Sequence, residues 1–402
     1  MIKAVLLDLD NTLLGNDPEP FTRRYLAVLD DFVRQRLGTP SILEALMSGT
    51  RAILTDPDPL RTNAEKFYDA FMPLVPTDRA AFAAAMQDFY AQLYPQLEGL
   101  THRRPGARRL VESLASAGYT IVIATNPLFP YVAVQHRLTW AGIPVDQVPL
   151  GLVTTLDNMH FAKPHPAYYE EILARLGLEA SEAIMVGDDW EHDILPARAA
   201  GLNAFWVCGD GHGCDANAAG QVDGCGSLAD FAGRAIEENW LETLTPRPLE
   251  PAQIVPRLMA NVAALDSLVR ETPDDVWTMR PQADEWSPLE VLGHLVETER
   301  GVYRPRLRTI LSSDNPVLPA LSASLTLAPS EAAEHPRSVL EIFAAERRAT
   351  LDLLATLAPE DWQRPARHHR LGLTTLLGVA DLIAQHDRQH LRQMREAIAH
   401  SL

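Results

Sequence analysis

The stretch Ala4-Val5-Leu6-Leu7-Asp8-Leu9-Asp10-Asn11-Thr12-Leu13 decides the fold of this chain. Its first four residues are continuously apolar rather than alternating, the pattern of a strand buried on both faces in a parallel sheet. The run ends in acids, which places Asp8 and Asp10 at the carboxyl end of a central strand, where open α/β sheets bind their ligands. Carboxylates two residues apart leave a strand on the same side. Like charges that close need a cation or a shared proton, and a hard, oxygen-seeking ion such as Mg²⁺ is the natural partner. Taken alone, the segment also admits a plainer reading, a solvated acidic strand end before a turn.

Three further segments weigh against that plainer reading. Tyr119-Thr120-Ile121-Val122-Ile123-Ala124-Thr125-Asn126 is a second buried strand, and it ends in a hydroxyl. Ala162-Lys163-Pro164-His165-Pro166 sets a lysine just ahead of a proline-marked helix start. Ala183-Ile184-Met185-Val186-Gly187-Asp188-Asp189 is a third strand running into acids, with Asp193 on the next turn. Asp-x-Asp, Thr, Lys and Gly-Asp-x-x-x-x-Asp, in that order, resemble the four motifs of the haloacid dehalogenase superfamily. The resemblance implies a Rossmann-like, doubly wound parallel sheet over residues 1–238, with a helical cap inserted after strand 1 over residues 15–104.

The same resemblance implies roles. Asp8 would be the nucleophile, attacking phosphorus to give an aspartyl-phosphate. Asp10 would protonate the leaving oxygen and later deprotonate the attacking water. Thr125 would hydrogen-bond the phosphoryl group, and Lys163 would neutralise its charge. Mg²⁺ would rest on the Asp8 carboxylate, the Asp10 backbone carbonyl and Asp188. Asp193 would act through water or orient Lys163, and Asp189 would be an outer acid. Dehalogenases of the superfamily lack the second acid, because a halide leaving group needs no proton; Asp10 therefore argues for a phosphatase acting on a small phosphorylated metabolite. Within the insertion, Phe21–Leu37, Ile42–Ile53, Thr62–Met72 and Asp78–Tyr94 read as helices. Arg23, Arg24 and Arg51 are read as solvated helix charges rather than anion contacts.

At 402 residues the chain exceeds one ordinary core, so two or three domains are expected. A net charge of −18 opposes nucleic acid or an anionic membrane as partner. No apolar run approaches the ~20 residues of a membrane span, and the chain opens directly into its first strand, so a cytoplasmic location is expected. Cys208, Cys214 and Cys225 fit free thiols in a reducing compartment. With His212 they lie in a Gly/Ala-rich stretch after Asn203–Val207, read as a flexible loop rather than a metal knuckle.

Prolines 246, 248, 251 and 256 mark a linker at 239–252. Beyond it, over 253–402, the pattern is helical: Pro251–Glu271, Ser287–Ser312, Ser338–Ala358 and Thr374–Ala399, with no strand between them. Four such helices predict an all-α four-helix bundle. His386 and His390, four residues apart, share one helix face, the spacing for two imidazoles on one metal. His294 lies in an apolar stripe where a bare imidazole is costly. Trp286-Ser-Pro-x-Glu-Val-Leu-x-His294, Leu371-Gly-x-x-Thr374 and His386-Asp-x-x-His390 resemble the DinB-like metal-binding superfamily. That resemblance implies a divalent metal on His294, His386 and His390, with an open position for water or the thiolate of a low-molecular-weight thiol. Imidazole ligands favour Zn²⁺ or Ni²⁺ over Mg²⁺, and binding is expected to weaken below about pH 6.5 as free imidazoles protonate. Asp387 is a candidate outer partner of these ligands, and His368 and His369 are read as loop residues outside the site. Three readings follow: a phosphatase with an accessory bundle, a thiol-dependent transferase whose main catalyst is the bundle, or a bundle that is a structural module making a homodimer.

Overall fold

The computed structural model describes residues 1–208, 214, 220–318 and 335–401. They form two compact units, Met1–Tyr169 with Glu179–Arg247, and Glu170–Leu178 with Pro248–Leu402.

The first unit is built on a six-stranded parallel sheet of order β5-β4-β1-β6-β7-β8: Leu152–Val153, Thr120–Ile123, Ala4–Leu7, Ala183–Gly187, Asn203–Val207 and Gly224–Gly226. β1 is flanked on both sides, Ala4↔Thr120 on one edge and Ala4↔Ala183 on the other. All four of its residues are fully buried, which is why the stretch carries no polar alternation. β1, β4 and β6 all run into the predicted site residues, so one end of the sheet gathers Asp8, Thr125 and Asp188.

Two short strands were not legible. β5 has two residues and β8 is Gly224-Cys225-Gly226. A side chain at Gly224 would lie 2.8 Å from Phe205 and 3.0 Å from Trp240, so the glycine that marks a loop in sequence here lets aromatic rings pack onto an edge strand. This corrects two expectations. Cys225 belongs to β8, and Cys208 is bonded to Cys214 in a disulfide, leaving Cys225 free. The pairing takes both sulfurs out of any metal knuckle; His212 lies outside the described residues.

The insertion is closed at its base by a ribbon. β2 (Leu14–Asn16) pairs antiparallel with β3 (Thr101–Arg103), with Gly15 opposite His102. Between them lie α1 (Pro18–Leu37), α2 (Leu43–Thr55), α3 (Asn63–Phe71) and α4 (Arg79–Gln92), close to the expected segments. Asp17, Thr62 and Asp78 cap three of them, Thr62 in a reciprocal box with Glu65. Phe71, Phe82, Phe89 and Tyr94 fill the insertion's core. In the rest of the unit, α5 (Ala107–Ser116) and α6 (Tyr131–Trp140) follow β3 and β4.

The second unit holds the long helices Pro251–Glu271, Pro288–Thr298, Arg304–Ser312, Pro336–Ala355 and Leu376–Ser401. The second predicted helix is interrupted by a π-turn at Glu299–Tyr303. Pro305 follows it, and a proline can neither donate to the residue four before it nor clear that carbonyl, so the backbone widens there. A three-stranded sheet, Val317–Leu318, Pro365–His368 and Gly372–Thr375, corrects the all-helical expectation. Its hairpin turns at Gly372, whose φ of +69 suits glycine. His368 is therefore a buried strand residue, with Arg306 Nη1 donating to its Nε2 at 3.2 Å. Among the described residues no helix is long and apolar enough to cross a membrane.

Candidate active site and histidine cluster

Asp8 leaves the end of β1 only 7 % exposed. Lys163 Nζ lies 2.7 Å from Asp8 Oδ1 and 2.5 Å from Asp193 Oδ1. Asp193 reaches that position over Gly187, where a Cβ would stand 2.2 Å from Asp193 Oδ2, so only glycine fits. The Asp189 amide donates to Asp193 Oδ2 (3.1 Å), while the Asp189 carboxylate caps the turn through the Glu191 and His192 amides (both 2.9 Å). Thr12 Oγ1 donates to Asp188 Oδ1 at 3.1 Å. Asp8, Asp188 and Asp193 each present a carboxylate oxygen within 4.8 Å of the others. A cavity of about 140 Å³ opens beside Asp188, bordered by Asn11, Thr12, Arg104 and Ser227. Thr125 is buried, and its carbonyl is fixed by Thr154 Oγ1 (2.7 Å) and the Tyr168 hydroxyl (2.8 Å).

The Asp10 carboxylate is not part of the acidic trio. Its Oδ2 accepts from Arg137 Nη1 and its Oδ1 from Asn16 Nδ2 at 3.1 Å. Neither partner stood out in the sequence, since Arg137 is an ordinary cation in the last turn of its helix and Asn16 ends a three-residue strand.

Burial, with Asp193 adding its charge, pushes the Asp188 carboxyl up to about 7. Burial and Asp193 also raise Asp8, although Lys163 pulls the other way. Burial works against charge on Lys163, but Asp193 and Asp8 outweigh it and hold the ammonium protonated. Three crowded acids served by one lysine have spare negative charge, and the all-oxygen donor set is one that suits Mg²⁺.

The second unit brings its three predicted histidines together. His386 Nε2 lies 3.3 Å from His294 Nε2 and 3.1 Å from His390 Nε2. Gln393 Oε1 sits 2.8 Å from His390 Nδ1. An amide oxygen only accepts, so the proton is on Nδ1 and the His390 Nε2 lone pair faces the cluster. One proton cannot satisfy three converging nitrogens; a cation can. Trp286 packs on His294 and Tyr303, from the π-turn, on His386, both with ring centres 5.1 Å apart. Burial and the neighbouring imidazoles pull His386 down to about 2 and His294 to about 4, so the protonation expected near 6.5 is displaced downward. Asp387 is buried and bonded to Arg347 Nη1 (2.6 Å) and Asn261 Nδ2 (3.2 Å) rather than to an imidazole. Gln393, which the sequence did not single out, is the residue bonded to one of these imidazoles.

Residues 2–201 match the family of haloacid dehalogenase-like hydrolases, and residues 257–394 match the DinB superfamily. A phosphoglycolate phosphatase of Vibrio parahaemolyticus is 31% identical over 53% of this chain and 86% of its own length. A ribulose-1,5-bisphosphate 5-phosphatase of Halopiger xanaduensis is 33% identical over 50% of this chain and 83% of its own. The solved structure of YfiT from Bacillus subtilis, a four-helix bundle, covers 38% of this chain and 91% of that one at 18% identity and a TM-score of 0.32.

Proposed function

The chain belongs to the haloacid dehalogenase-like hydrolases and carries a DinB superfamily domain, and from that premise we propose that it hydrolyses a small phosphorylated metabolite through an aspartyl-phosphate on Asp8. The observation that carries this reading is Lys163 seated between Asp8 and Asp193 at 2.7 and 2.5 Å, beside Asp188. Asp8 attacks phosphorus, the bond to the leaving oxygen breaks, and Asp10 delivers a proton to that oxygen. Asp10 then takes a proton from water, which attacks the aspartyl-phosphate and releases phosphate and Asp8. Lys163 and Thr125 hold the phosphoryl oxygens. Asp8, Asp188 and the Asp10 backbone carbonyl would hold Mg²⁺, with Asp193 fixing Lys163; when bound, the ion supplies positive charge against the transferring phosphoryl group. The Asp10 carboxylate, engaged by Arg137 and Asn16, is left to proton transfer.

In the second unit His294, His386 and His390 would hold one divalent transition ion, Zn²⁺ or Ni²⁺, as an accessory site whose remaining position takes water or a low-molecular-weight thiol. Asp8→Asn tests the main reading. An amide can neither attack phosphorus nor bring the charge that Mg²⁺ needs, so phosphatase turnover should fall by about 10⁴-fold or more in a folded protein. Substantial turnover by that variant would remove Asp8 as nucleophile.

A further inference from the structure

We infer that Trp206 of β7 is a positioning residue of the phosphatase site: its indole N–H locks the Asp188–Asp189 peptide, and that peptide sets Asp188 for Mg²⁺ and Asp193 for Lys163. The inference rests on the phosphatase reading and adds to it a determinant of Mg²⁺ affinity.

The ladder between β6 and β7 ends at Gly187↔Trp206, so the Asp188 carbonyl lies one residue past the last pair. Trp206 Nε1 donates to that carbonyl at 2.9 Å. An indole N–H can only donate, and a half-buried tryptophan spends it on a fixed acceptor. The peptide that begins at this carbonyl is planar, so its C=O and its N–H point opposite ways. The N–H belongs to Asp189, and it donates to Asp193 Oδ2 at 3.1 Å. One rigid plate is therefore gripped by Trp206 at one edge and by Asp193 at the other. Bonds joined in this way polarise one another, so the indole also strengthens the bond to the Asp193 carboxylate.

Each edge of the plate leads into the site. Asp188 is held by its carbonyl through Trp206 and by its carboxylate through Thr12 Oγ1 at 3.1 Å, which leaves its side chain little freedom to turn away from a cation. Asp193 holds Lys163, whose Nζ lies 2.5 Å from Oδ1. Trp190 packs on Trp206 with ring centres 4.9 Å apart and planes inclined at 59°. Trp190 belongs to the turn Trp190–Ile194 that also carries Asp193, so the indole that fixes the plate is itself seated by the turn it serves. Groups that bond a metal ligand from behind set its affinity by about 10- to 100-fold. Phenylalanine at 206 would fill much of the same space and leave the Asp188 carbonyl without its donor.

The test uses the full chain, with Mg²⁺ binding read by calorimetry. Mg²⁺ seeks oxygen donors, so the titration reports on the acidic site rather than on the histidines. In Trp206→Phe the Mg²⁺ dissociation constant should rise by about 10-fold, and kcat for para-nitrophenyl phosphate at saturating Mg²⁺ should fall by about 10-fold. Trp190→Phe keeps the Trp206 bond and should hold both values within about 2-fold of the wild type. If Trp206→Phe does not fold, ¹⁵N-labelled Trp190→Phe decides: one indole N–H signal should move when Mg²⁺ is added. Either value unchanged in folded Trp206→Phe, even with a lowered melting temperature, is the result of a ring that only packs. That result, or indole signals that all stay still, would overturn the inference and leave the phosphatase reading standing. A wild type that hydrolyses no phosphate ester would overturn the phosphatase reading and this inference with it.

Discussion

The acidic site of the first unit and the histidine cluster of the second answer burial in opposite ways. Burial disfavours whichever form is charged. It raises Asp8, Asp188 and Asp193, with Asp188 reaching about 7, and lowers His294 and His386 to about 4 and about 2. At neutral pH the first site is therefore still exchanging protons, whereas the imidazoles are already bare. A metal entering the first site must displace protons; one entering the second need not. The difference teaches that two polar clusters can be built by the same desolvation and yet be poised for metal over different pH ranges.

Deleting ligands should separate the two sites most sharply. His386→Ala with His390→Ala should reduce the bound transition metal of the full chain from about one ion to none, because two of the three proposed ligands are gone. Asp188→Asn should leave that ion in place while lowering phosphatase turnover by about 100-fold or more. Metal analysis and a phosphatase assay on both variants check this, and loss of both properties in either one would tie the sites together. A smaller effect is expected from Gln393→Leu. Without the acceptor on Nδ1 the His390 tautomer is no longer fixed, and affinity for Ni²⁺ should drop by about 10- to 100-fold, read by equilibrium competition against a chelator.

Stability offers a subtler contrast. Asp188 binds its proton more tightly folded than unfolded, so between its ordinary value of 3.8 and about 7 the folded state holds more protons. Its contribution to the metal-free protein therefore diminishes as pH rises through that window. His386 has the reverse sign. Its folded value of about 2 lies under the ordinary 6.5, so the unfolded chain takes up the extra proton and stability is lost as pH falls below 6.5. Metal-free melting followed by a probe in each unit should show these opposed slopes; parallel slopes would break the contrast.

Much of this was readable in the sequence, for identifiable reasons. β1, β4 and β6 are uninterrupted apolar runs that end in polar residues, and their burial on both faces forces that pattern. His386 and His390 announced themselves because a helix face repeats every three to four residues. Other features carry no local signature. Arg137 meets Asp10 across 127 residues of sequence, and a cation in the last turn of a helix looks like any solvated charge until its partner is placed. Gly224 of β8 reads as a loop glycine in sequence because the rings of Phe205 and Trp240 occupy the space of a side chain. His368 looked like a loop residue because a four-residue strand beside a glycine turn leaves almost no periodicity.

The most direct test of the central contrast is one titration series on the full chain, at pH 8 and at pH 6, of Mg²⁺ by phosphatase activation and of Ni²⁺ by its absorption. Mg²⁺ activation should require about 10-fold more metal at pH 6 than at pH 8, since Asp188 must give up a proton that it holds up to about 7. Ni²⁺ should bind with nearly the same affinity at both, because His294 and His386 are neutral throughout that range. Ni²⁺ affinity that collapses between pH 8 and pH 6 while Mg²⁺ activation stays level would contradict the account.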